Sequence, residues 1–67
     1  MKTGDRIKEL RLLRLMTQEE LAEITGIAAA TLSRIENNLH NPSISTLKAL
    51  TKALDVDVTE ILQFSED

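Results

Sequence analysis

The sequence predicts an all-helical domain. Apolar residues recur at 3.6-residue spacing, no stretch alternates apolar and polar residues long enough to make a strand, and helix-capping patterns recur along the chain. With 67 residues, 42% hydrophobic and 28% charged, the chain reads as one small globular domain over residues 1–67, without linker, repeat or low-complexity segment.

A first helix is predicted from Thr3 as N-cap to about Arg14, with Ile7, Leu10 and the stem of Arg14 on one face and Leu12 pointing away. Thr17-Gln18-Glu19-Glu20 is a capping box that starts a second helix, and Gly26 ends it in a left-handed conformation. The third helix covers residues 28–37, with Leu32 and Ile35 inward and Ala29, Ala30, Ser33, Arg34 and Asn37 along an outward stripe. Asn37 to Pro42 is a loop. A fourth helix follows a Ser43 cap, with Ile44, Leu47, Leu50 and Leu54 spaced for burial. Asp57-Val58-Thr59-Glu60 repeats the capping logic for a short fifth helix carrying Ile61 and Leu62.

Composition excludes several function classes. Phe64 is the only aromatic residue, which argues against base-stacking or sugar-stacking platforms. There is no Cys and a single histidine, His40, so neither a disulfide framework nor a metal centre is expected, and His40 reads as a surface or phosphate-proximal residue. The carboxylates have no Cys or second His beside them, and two glycines cannot make a phosphate-cradling loop. No cofactor and no enzymatic activity are expected. Without a basic, apolar leader or any apolar run longer than Ile27 to Ala30, the expectation is a cytoplasmic protein that does not enter a membrane.

Two short helices joined around a glycine, with a small residue where they cross, make a helix-turn-helix; Ala22 and Gly26 fill those positions, and the motif spans about 17–37. Its physical use is to hold the second helix proud of the domain so that the outward stripe enters the major groove. Arg6 to Arg11, Thr17 to Ala22, Thr31 to Glu36, Asn41-Pro42-Ser43 and Leu47 to Val56 together resemble the Cro and phage-repressor-like family, also called the xenobiotic-response-element family, over residues 3–63.

That resemblance implies a five-helix, lambda-repressor-like bundle that binds a double-stranded DNA operator as a homodimer. The function it implies is transcriptional regulation, in the form of repression. Thr17 and Gln18 fall where the family meets a phosphate, Ala28, Ala29, Ala30, Ser33 and Arg34 where it faces base edges, and Asn37, Asn38, His40, Asn41 and Ser43 where the following loop meets the DNA backbone. Arg34 is the main candidate for sequence reading, since its planar fork matches guanine O6 and N7. Arg11 and Glu36 are implied to form an ion pair between the first and third helices. The alternative function is an antitoxin or other protein-binding module with secondary DNA binding.

Three features depart from the family pattern. Ala28 cannot cap the third helix with its side chain, an expected loss of about 1 kcal/mol. Ala29 and Ala30 replace polar readers, leaving three readings: thymine-methyl and shape readout, a degenerate binder engaged mainly with protein, or a truncated variant. Leu15 stands where relatives carry glycine, and a positive φ there would cost roughly 1 kcal/mol.

Charge is unevenly spread around the formal total of −3, with a balance of +3 over residues 1–16 and −3 over each of residues 17–40 and 41–67. Few phosphate contacts per monomer are therefore expected, with affinity dependent on dimerisation. Ile61 and Phe64 are the candidate dimer-interface residues, Ile61 and Leu62 serving equally as core closure, and Leu12 is a second candidate contact.

Overall fold

A computed structural model describes residues 1–62, so the interface assignment of Phe64 lies outside the described residues. The described chain forms α1 (Thr3–Leu13), α2 (Gln18–Thr25), α3 (Ala29–Glu36), α4 (Ile44–Leu54) and α5 (Val58–Leu62), with no strand among these residues. Ile7, Leu10, Leu21, Ala22, Leu32, Ile35, Leu50, Leu54 and Ile61 form one buried cluster to which every helix contributes, with Met16, Ile27, Leu47, Ala53 and Val56 packed against it.

α1 starts at Thr3, the residue expected to cap it, so that the cap lies one residue earlier. Lys2 is the N-cap, and its amide donates to the Asp5 carboxylate at 3.3 Å while Thr3 is buried. Gly4 lies against the end of α3, where a Cβ would sit 2.1 Å from the Ile35 carbonyl oxygen. Backbone crowding of that kind has no flexible atom to yield. Gly4→Ala is therefore expected to cost at least the roughly 1–3 kcal/mol of an overpacked core, read as a fall in Tm of the order of 10 °C. The third inward position of α1 belongs to Arg11, which is buried, and not to Arg14, which is exposed.

Three helices end the same way. Met16 donates to the Arg11 carbonyl, Leu39 to Arg34 and Val56 to Thr51, each across a residue at positive φ: Leu15 (58°), Asn38 (61°) and Asp55 (56°). Asn and Asp tolerate that conformation, whereas leucine is strained in it. Leu15 is 91% exposed, so its side chain gains little in return. Relief of about 1–2 kcal/mol of strain outweighs the smaller entropic cost of glycine, and Leu15→Gly is expected to stabilise the fold by about 1 kcal/mol. Thermal unfolding should show a rise of several degrees; an unchanged or lower Tm would contradict the assignment of strain.

Two burial expectations fail. Ile44 is 73% exposed, because at ~100° per residue it lies about 90° from the mean direction of Leu47, Leu50 and Leu54. Ile61 is fully buried and cannot serve as a dimer contact while the domain stays folded, whereas Leu62 is half-exposed instead of closing the core. Successive helical residues point ~100° apart, so the short α5 buries one of the two.

Candidate nucleic-acid interface

The Thr17 hydroxyl accepts from the Glu20 amide at 3.0 Å and the Glu20 carboxylate accepts from the Thr17 amide at 2.9 Å, which closes the capping box of α2. Hydrogen bonds with the Thr17 backbone amide, and then with its side chain, favour the charged form and hold the Glu20 pKa below its ordinary value. This support for the cap is present at neutral pH and is lost as pH falls through the carboxylate range. α2 ends at Gly26, whose φ of 77° turns the chain within three residues into α3. Buried Ala22 on α2, with Leu21, Leu32 and Ile35, lets the two helices cross closely.

α3 carries no side-chain cap at Ala28. Its inward face is Leu32, Ile35 and Glu36, all buried, and Ala29, Ala30 and Arg34 are exposed on the other side with Ser33 part-buried between them. Arg34 makes no hydrogen bond or ion pair with any described residue, apart from its own backbone. Its guanidinium is free to meet a ligand.

The pose of α3 is fixed by a buried polar network. Arg11 donates from Nε to Glu36 Oε2 at 2.8 Å and from Nη2 to Oε1 at 3.0 Å, and its Nη1 donates to the Met16 carbonyl at 2.7 Å. Gln18 Nε2 adds a bond to Glu36 Oε1 at 3.1 Å. One carboxylate thus joins α1, α2 and α3, and no described buried side-chain polar atom lacks a partner.

Two of the residues expected at the DNA also bond within the domain. Gln18 gives one amide hydrogen to Glu36 Oε1, a second donor to an oxygen that Arg11 Nη2 already serves. Asn38 accepts from the Gly4 amide and donates to the Asp5 carboxylate, both at 2.9 Å, so its side chain staples the α3–α4 loop to the start of α1. Ser43 is exposed but serves as the cap of α4, accepting from the Thr46 amide at 3.2 Å. Asn37, His40 and Asn41 are exposed along the same loop, Asn37 touching Ser33 at 3.5 Å. The sequence reading missed Gly4 and Asn38 as a pair; the one available signal was a glycine inside a predicted helix, which usually has a packing reason.

A helix-turn-helix model matches residues 7–61. The chain belongs to the helix-turn-helix family. This helix-turn-helix domain is 42% identical over 62 residues to the immunity repressor protein of Bacillus phage phi105, a match covering 92% of this chain and 43% of the relative. It is 45% identical over 60 residues to the transcriptional regulator SinR of Bacillus subtilis (strain 168), covering 88% of this chain and 54% of SinR. The chain spans about half the length of these curated relatives. Among solved structures, the biofilm master regulator SinR in complex with DNA superposes with a TM-score of 0.86 at 44% identity, covering 90% of this chain and 97% of that one. The restriction-modification controller C.AhdI of Aeromonas hydrophila gives 0.85 at 30% identity, covering 88% and 89%. No helix among the described residues is long and apolar enough to cross a membrane.

Proposed function

We propose that the protein is a cytoplasmic, non-enzymatic transcriptional regulator, a repressor, that binds a specific duplex operator as a homodimer with α3 of each copy in the major groove. The observation that carries this reading is the outward stripe of α3: Arg34 exposed and without a partner among the described residues, on a helix whose opposite face is locked to α1 and α2 by the Arg11–Glu36–Gln18 network. Base reading needs a helix that cannot rotate, because a small turn about its axis would carry the arginine fork off the guanine edge.

The N-terminus of α2 at Thr17 and the exposed loop at Asn37, His40 and Asn41 offer donors to phosphates on either side of the groove. These contacts orient the domain without reading sequence. Two half-sites then lie roughly 34 Å apart, one helical turn of the duplex. A compact dimer so placed over a promoter excludes polymerase by occupancy. Half-exposed Leu62 and Leu12 are the apolar positions we assign to dimer contact in place of Ile61.

With a net charge of −3, the domain neutralises few phosphates. Titration of a selected operator at several salt concentrations should give a log–log slope clearly shallower than about −10, the value reached by heavily phosphate-dependent repressors. A slope of that size, or equal affinity for every duplex, would contradict the proposal.

A further inference from the structure

We propose that α3 reads thymine by its 5-methyl group, with Ala29 and Ala30 seating the methyls of two neighbouring A·T pairs and Arg34 taking a guanine further along the same half-site. The inference rests on the regulator reading above and specifies what that site recognises. The helix-turn-helix geometry defines the site; the alanines decide what it can read.

The stripe that would face the groove begins with Ala28, Ala29 and Ala30, all exposed, and none of them brings a donor or an acceptor to its side chain. The major-groove edges of guanine, adenine and cytosine present only acceptors and donors, whereas thymine adds an apolar methyl to its single acceptor. An alanine methyl pressed against guanine N7 or the cytosine amino group takes a polar atom out of water and returns no hydrogen bond. Against a thymine methyl, both partners lose apolar surface to water. The first turn of α3 therefore discriminates in two directions, favouring A·T and penalising G·C.

Spacing adds a second constraint. From Ala30 to Arg34 the helix advances about 6 Å, close to two base-pair steps of about 3.4 Å. Helical position puts both residues on the side opposite Leu32 and Ile35, and Arg34 has no partner among the described residues to draw it away. A half-site of adjacent A·T pairs followed about two steps on by a guanine matches this layout. Among the described residues, the exposed grooves beside Leu12 and Leu13 on α1, and beside Ile24 and Lys52 between α2 and α4, carry no feature that identifies an occupant.

The test uses the full chain and duplexes selected from a random library. Each thymine is replaced in turn by deoxyuridine, which deletes the 5-methyl and leaves base pairing intact, and affinity is followed by fluorescence anisotropy. At two adjacent positions per half-site, affinity should fall about fourfold for each methyl lost, and roughly 15-fold when the position is changed in both half-sites. Replacing the same T·A pair with 5-methylcytosine·guanine should weaken binding less than replacing it with unmethylated cytosine·guanine. In Ala30→Gly and Ala29→Gly, each checked for its helical circular dichroism, the response to one of the two methyls should vanish. If uracil duplexes bind as tightly at every position while sequence selectivity persists, or if uracil sensitivity survives unchanged in both glycine variants, the methyl-reading inference is wrong and the regulator reading stands. If no sequence is selected at all, both fall.

Discussion

Replacing Glu36 by alanine is expected to cost about 3–5 kcal/mol, enough to unfold a large part of the population of a domain whose whole stability lies at roughly 3–10 kcal/mol. The reason is the company the carboxylate keeps. Glu36 is 3% exposed and accepts from Arg11 Nε, Arg11 Nη2 and Gln18 Nε2, while Arg11 is itself buried. Removing the acid leaves the guanidinium in the interior with only the Met16 carbonyl to receive it. The loss is dominated by that stranded charge and not by the worth of the pair. Replacing both partners, Arg11→Met with Glu36→Leu, should accordingly recover most of the stability. Urea unfolding followed by circular dichroism decides the point: a single variant within about 1 kcal/mol of the parent, or a double variant no better than the single, would refute the account of this network.

Arg34→Met is expected to show the opposite pattern, with a large effect on binding and almost none on folding. The side chain is exposed and has no partner among the described residues, so its loss should change stability by less than about 0.5 kcal/mol. A bidentate contact to guanine is worth about 1–3 kcal/mol, and a dimer makes two of them, so operator affinity should fall roughly 30-fold to 10⁴-fold. Preference at one base pair per half-site should relax at the same time. Asn41→Ala is the useful contrast: on the proposed reading it removes a loop donor to phosphate, so all duplexes should weaken alike. If Arg34→Met binds the operator as tightly and as selectively as the parent, Arg34 is not a reader.

The elements governed by local rules were legible in the sequence. Thr17 with Glu20, Gly26, and the Ser43 cap act between residues close in the chain, and the structure holds each of them where local physics puts it. The buried face of α3 followed from periodicity, and the Arg11–Glu36 pair from the family resemblance. What escaped was decided by contacts between distant segments. Gly4 reads as an unremarkable helix residue until α3 is brought against it, and Asn38 reads as a loop donor until Gly4 and Asp5 claim both ends of its amide. The Gln18–Glu36 bond escaped for the same reason, since its partners lie 18 residues apart. Ile44 and Leu62 show the limit of apolar spacing, which says that a residue can be buried but not whether a neighbour arrives to cover it.

Intermolecular nuclear Overhauser effects between isotopically labelled protein and an unlabelled selected duplex report directly on whether α3 occupies the major groove. The account predicts contacts from the Ala29 and Ala30 methyls and the Arg34 side chain to thymine methyl and cytosine H5 protons, with the resonances of α5 unaffected by the bases. Contacts confined to other helices, or a duplex that leaves the α3 resonances unmoved, would contradict it.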